Sequence, residues 1–126
     1  MFQLLLVMAG GAAGAGARHL TGRATLSLFG PNFPYGTLAV NLIGGFAMGV
    51  LVGALARMTV PGEHWRLLLG VGVLGGYTTF SSFSLDVVNM IHRGDMAVAA
   101  MYITVSVAGS IAALFAGLAM VRVAAA

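Results

Sequence analysis

Gly72-Val73-Leu74-Gly75-Gly76-Tyr77-Thr78-Thr79-Phe80-Ser81-Ser82-Phe83-Ser84 is the stretch that decides how this chain folds. It lies inside an apolar run from Leu67 to Ile91, long enough to cross the roughly 30 Å of a bilayer's hydrocarbon, which takes about 20 residues. Glycines followed by the hydroxyl side chains of Thr78, Thr79, Ser81 and Ser82, with Phe80 among them, read as a helix interrupted at membrane depth. A break in lipid frees backbone carbonyls and amides, so it survives only where protein or a water-filled cavity surrounds it. Broken helices of this kind mark ion sites in transporters. The alternative reading is an unbroken helix whose hydroxyls bond back to their own backbone.

Three further apolar runs surround this one. The first spans Phe2 to Ala17 and extends past Arg18 if that side chain snorkels to the interface. The others run from Gly36 to Ala56 and from Met96 to Val121. The expected fold is an all-α membrane protein of four transmembrane helices in one domain, with the third helix broken near mid-membrane. Composition agrees: 60% of the 126 residues are hydrophobic and 7% charged, against about 25% charged in a soluble domain. The apolar N-terminus lacks a basic region ahead of it, so it reads as the first span and not as a signal peptide.

Helix contacts follow from spacing. Gly45, Gly49 and Gly53 repeat every four residues, as do Gly109, Ala113 and Gly117. Small residues at that interval let membrane helices approach closely, so both faces are expected against helices and not lipid.

Arginine placement bears on orientation. With four spans, Arg57, Arg66 and Arg122 fall on one side and Arg18, Arg23 and Arg93 on the other. The Lys/Arg bias of short loops sets insertion, so a three-to-three count predicts insertion both ways, and two opposite copies can then form an antiparallel homodimer with its twofold axis in the membrane plane. A single orientation set by weaker determinants is the other reading. The arginines are too scattered for a nucleic-acid surface. Cysteine is absent, which removes thiolate chemistry and disulfides. His19, His64 and His92 fall near span ends without an acid or nucleophile at helical spacing, so no catalytic or metal constellation is expected.

The polar residues within spans form a pattern. Phe80 and Phe83 share a helix face at i and i+3. Asn41 stands mid-span in the second run, and Tyr102, Ser106 and Ser110 repeat every four residues in the last. Hydroxyls and amides donate hydrogen bonds without charge, and phenyl edges are the positive end of the ring quadrupole. Such a set suits a narrow path for a small anion; as an alternative it joins helices by hydrogen bonds alone. Carbonyls freed at the break suit a hard cation such as Na⁺. Asp86, the one carboxylate within a span, is expected to face water or a partner because a charge at the bilayer centre costs about 2.5–3.5 kcal/mol. Arg18 and Arg23 either concentrate anions at a mouth or anchor the helix end.

Three segments in order, Gly10-Gly11-Ala12-Ala13-Gly14-Ala15-Gly16-Ala17-Arg18, Gly36-Thr37-Leu38-Ala39-Val40-Asn41-Leu42-Ile43-Gly44, and Gly72 to Phe83, resemble the motifs of the Fluc (CrcB) fluoride channel family. The resemblance covers nearly the whole chain. It implies an antiparallel, dual-topology homodimer in the bacterial inner (plasma) membrane, with two pores that export toxic fluoride passively. By motif, Phe80 and Phe83 become pore phenylalanines, Asn41 the pore amide, and Ser81 and Thr79 nearby hydroxyls. Tyr102, Ser106 and Ser110 become the polar track of the last helix, and Arg18 the arginine at the vestibule. Gly75 and Thr78 supply carbonyls to a structural Na⁺ on the dimer axis. Ser82 replaces the usual Thr, His19 stands where an aromatic often follows the arginine, and Tyr77 varies within the signature. A proton-coupled exporter of the small multidrug resistance kind is the rival; those proteins carry a glutamate within helix one, and this chain has no acid before Glu63.

Overall fold

The computed structural model describes residues 1–125. Helix α1 runs Phe2–Phe29 and α2 runs Tyr35–Ala56. Residues 63–77 form α3, most of it a wide π-helix over Arg66–Leu74 followed by one turn at Gly75–Tyr77. After an interruption, α4 runs Ser81–His92 and α5 runs Met96–Ala125. Among the described residues there is no strand.

Among the described residues, three stretches are long and apolar enough to cross a membrane: Tyr35–Ala56, Glu63–His92 and Met96–Ala125. Helix α1 has 28 residues, about 42 Å at 1.5 Å per residue, so length is not what sets it apart. Arg18, His19, Thr21 and Arg23 dilute its second half, which therefore demands water or polar neighbours. Four helical segments of spanning length result, the third of them broken, and the chain is an integral membrane protein. Gly30, at φ 80°, closes α1 by donating its N–H to the Leu26 carbonyl at 2.9 Å; a residue with a Cβ is strained there.

The helices pack as two close pairs, α1 against α3 and α2 against α5. Glycine makes both contacts. A methyl group on Gly10 would overlap the Leu68 carbonyl, and one on Gly14 would overlap that of Val73. In the second pair, Gly45 faces the Ser110 carbonyl, Gly49 that of Leu114, and Gly117 that of Phe46. Both small-residue faces thus meet each other, as their spacing predicts. The partners Gly45–Ser110, Gly49–Leu114 and Gly53–Val121 rise together in number, so α2 and α5 run parallel.

Where α4 and α5 meet the 30–34 connection, Phe83, Met90, Ala99 and Tyr102 form a buried cluster, with Phe33, Leu38 and Val87 against it. Elsewhere large apolar side chains such as Leu28, Ile43 and Phe115 are exposed. In water such a surface would be an aggregation hazard; in a membrane it meets lipid or another helix.

Candidate functional site

The helix break occupies Thr78–Phe80. Thr78 is extended, with φ −81° and ψ 159°. Its side chain and its own N–H both donate to the Leu74 carbonyl, at 2.9 and 3.0 Å, which closes α3. On the far side the Thr79 hydroxyl accepts the Ser82 N–H at 3.2 Å. The Phe80 carbonyl then starts the ladder of α4, taking the N–H and the hydroxyl of Ser84 at 2.9 Å each.

Asn41 holds this break in place. Its Nδ2 donates to the Thr79 carbonyl at 3.0 Å while its Oδ1 accepts the Thr79 N–H at 2.9 Å. One side-chain amide thereby replaces both backbone partners that Thr79 lost when the helix stopped. The arrangement works because an amide presents a donor and an acceptor in one plane, as another peptide group would. Arg18 performs the related service one turn earlier, its Nε donating to the Gly76 carbonyl at 3.2 Å. Thr21 and Tyr77 share a hydroxyl hydrogen bond of 2.9 Å beside it.

Several groups at the break stay open. The amides of Thr79 and Ser82, which an unbroken helix would aim at the carbonyls of Gly75 and Thr78, bond instead to Asn41 Oδ1 and Thr79 Oγ1. No donor among the described residues reaches the carbonyls of Gly75, Tyr77 or Thr78, and Gly75 is exposed. The break therefore exposes a carbonyl end on α3 next to the amide end of α4. By the helix dipole the first favours a cation and the second an anion.

From Phe80 a row of aromatic rings leads inward. Phe80 and Phe83 have ring centroids 5.6 Å apart, Phe83 and Tyr102 5.1 Å, and Tyr102 and Phe33 5.4 Å. Exposure falls along this row: Phe80 is 76% exposed, Phe83 8% and Tyr102 0%. Tyr102 donates its hydroxyl to Asp86 Oδ2 at 2.9 Å. One turn further along α5, Ser106 is 5% exposed and its hydroxyl has no hydrogen-bond partner among the described residues. Buried hydroxyls are rarely left unpaired. Ser110, a turn beyond, is half-buried and lies where Gly45 brings α2 against α5.

A cavity of about 550 Å³ opens above the break. Arg18, Arg23, Arg93 and Asp86 give it its charge, and Thr79 and Ser82 reach it from the break. Thus Asn41, Thr79, Ser81, Phe80, Phe83 and Tyr102 gather around one interruption, with Thr79 Oγ1 and Ser81 Oγ 3.5 Å apart. Two of the anticipated residues have work in the fold itself: both polar atoms of Asn41 already hold Thr79, and Arg18 both lines the cavity and secures Gly76.

Three contacts at the site carry no signal in the sequence. Asp86 needed a partner, and its partner is Tyr102, sixteen positions away, where no local spacing signals it. Phe33 lies in the connection between α1 and α2, outside every apolar run, and its ring caps Tyr102. The Thr21–Tyr77 pair joins two helices whose contact only the tertiary structure reveals. Among the described residues no group of three His, Asp or Glu side chains is placed to hold a metal.

Comparison with known proteins places this geometry in a family. The family model described as "CrcB-like protein, Camphor Resistance (CrcB)" matches residues 5–118. Relatives named "Fluoride-specific ion channel FluC" include one from Phenylobacterium zucineum, 57% identical over 97% of both chains. Another, from Caulobacter sp. strain K31, is 56% identical over 97% of this chain and 96% of its own. A third, from Sphingopyxis alaskensis, is 52% identical over 97% of each. With a family match that runs from the first helix to the last and relatives above half identity across its length, this chain belongs to the CrcB family.

Proposed function

We propose that the protein is a fluoride-selective ion channel, not an enzyme, that lets fluoride leave the cell passively across the bacterial inner membrane. The ion itself comes from the relatives' name. Where it passes is supported by Ser106, a buried hydroxyl without a protein partner, one turn from a tyrosine that abuts Phe83. A small anion surrenders a strongly held hydration shell, so its path needs neutral donors that bind without trapping it. Hydroxyls of Ser106, Ser110, Ser81 and Thr79 and the edges of Phe80 and Phe83 are such donors. Asn41 keeps one amide hydrogen beyond the bond to Thr79, enough to act on the ion as well as on the break. Arg18, with Arg23 and Arg93, raises anion concentration at the mouth.

The functional unit in this reading is an antiparallel homodimer with two pores. It is favoured by the equal arginine counts. The carbonyls of Gly75 and Thr78, which lack donors, fit a hard cation, and two copies on a twofold axis would bring four oxygens together for a structural Na⁺. When bound, that ion would neutralise the negative ends of the two α3 helices; the permeation residues act without it.

The reading is tested in a bacterium lacking its own fluoride export. Expression of the chain is expected to restore growth in fluoride. Unrestored growth, with the protein present in the membrane, would overturn the reading. A tag on the C-terminus is expected to be reached from both membrane faces, and labelling from one face alone would sink the antiparallel dimer.

A further inference from the structure

The chain contains three acidic side chains in all, and each is already engaged. Glu63 pairs with Arg66 at 3.0 Å, Asp95 with Arg93 at 3.4 Å, and Asp86 accepts from Tyr102. At the far end of the molecule from the cavity above the break, Arg57 and Arg122 have neither a carboxylate nor a hydrogen-bonded carbonyl among the described residues. They share a second cavity of about 390 Å³, whose remaining lining is Gly53, Ala56, Leu118 and Val121.

Their position explains part of this. Helices α2 and α5 run parallel, so both C-terminal ends, each carrying about −0.5 charge, lie side by side. Two guanidinium groups answer that with +2. Counting side chains and helix ends alone, the site is positive, at the end of two membrane-spanning helices, beside a groove that is otherwise glycine and hydrocarbon.

We infer that Arg57 and Arg122 bind the phosphate of an anionic phospholipid, with an acyl chain lying along Gly53, Leu118 and Val121. An anionic headgroup complements the two guanidinium groups. Guanidinium forks match phosphate oxygens, and basic pockets between membrane helices take anionic headgroups in this way. The apolar lining favours a lipid over a soluble phosphate, which has nothing to place in the groove. The site lies apart from the permeation residues, so it neither requires nor assists the channel assignment.

Native mass spectrometry of the purified protein tests this, with phosphatidylglycerol, phosphatidylcholine and inorganic phosphate as the probes. Phosphatidylglycerol is expected to stay bound where phosphatidylcholine dissociates. Arg57→Gln or Arg122→Gln alone is expected to weaken phosphatidylglycerol about fivefold and the double variant about 30-fold, the equivalent of one basic side chain near a charged membrane surface each time. Arg66→Gln, whose partner is Glu63, is expected to change nothing. Equal retention of the two lipids, or unchanged binding by the double variant, would overturn the inference. Displacement of the lipid by millimolar inorganic phosphate would assign the site to a soluble anion instead and overturn it as well. If the double variant does not purify, the single variants carry the same comparison.

Discussion

Replacing Asn41 by leucine keeps the heavy-atom count and branching of the side chain and removes both of its bonds to Thr79, at 2.9 and 3.0 Å. Thr79 then has an N–H and a carbonyl without protein partners inside the membrane. Each such group costs about 1–3 kcal/mol when buried. Interhelical hydrogen bonds in membranes average nearer 0.6 kcal/mol because the unfolded chain also finds partners there, and Thr79 borders the cavity, where water reaches part of the break. Weighing the two gives a loss of about 2–3 kcal/mol for the pair. The assay is SDS-induced unfolding in mixed micelles followed by circular dichroism, comparing wild type, Asn41→Leu and Asn41→Ala. Fluoride flux is measured on the same preparations. Both variants are expected to unfold earlier by that amount. If Asn41→Leu matched wild type within about 0.5 kcal/mol, with folding intact, the bracing argument would be refuted and Asn41 would be left with a pore role only.

Three further outcomes follow from the same geometry. Gly14→Ala sets a methyl group against the Val73 carbonyl, a backbone atom that cannot rotate aside, so a loss of about 1–3 kcal/mol is expected as a lower yield of monodisperse protein; normal yield and stability would mean that α1 and α3 are further apart. Phe80 and Phe83 are expected to separate: Phe80→Ala, at an exposed ring, leaves unfolding within about 0.5 kcal/mol yet cuts flux tenfold or more, a barrier change of about 1.4 kcal/mol, whereas Phe83→Ala also destabilises by about 3 kcal/mol. Identical effects on unfolding would contradict the burial that distinguishes them. Tyr102→Phe removes the donor to Asp86 and is expected to cost about 1–2 kcal/mol, while Asp86→Asn, which can still accept that hydrogen bond, costs less; the reverse order in the same unfolding assay would show the contact to be incidental.

What the sequence disclosed was what depends on near neighbours along the chain. Gly45, Gly49 and Gly53 announce a contact face because one helix turn repeats the same small side chain, and their partners Ser110, Leu114 and Val121 lie where that face had to go. The break at Thr78–Phe80 was legible from glycines and hydroxyls in one short run. The devices that make the break tolerable were not. Asn41 and Thr79 are 38 residues apart, and Arg18 and Gly76 are 58 apart; a single sequence holds no trace of such pairing. The π-helical form of Arg66–Leu74 was equally hidden, since it accompanies the close approach of Gly10 and Gly14 and not any feature of its own composition. The first apolar run ends at Ala17 by composition, yet the helix continues to Phe29, its arginines turned to the cavity and to the Gly76 carbonyl.

The central claim, that this chain alone forms a selective passive path for fluoride, is tested most directly by ion efflux from liposomes containing only the purified protein. A fluoride electrode follows fluoride, and a parallel experiment follows chloride. The account predicts rapid fluoride efflux without a proton gradient and no chloride efflux above that of empty liposomes. Liposomes that hold well-folded protein yet retain their fluoride, or that release chloride equally fast, would contradict it.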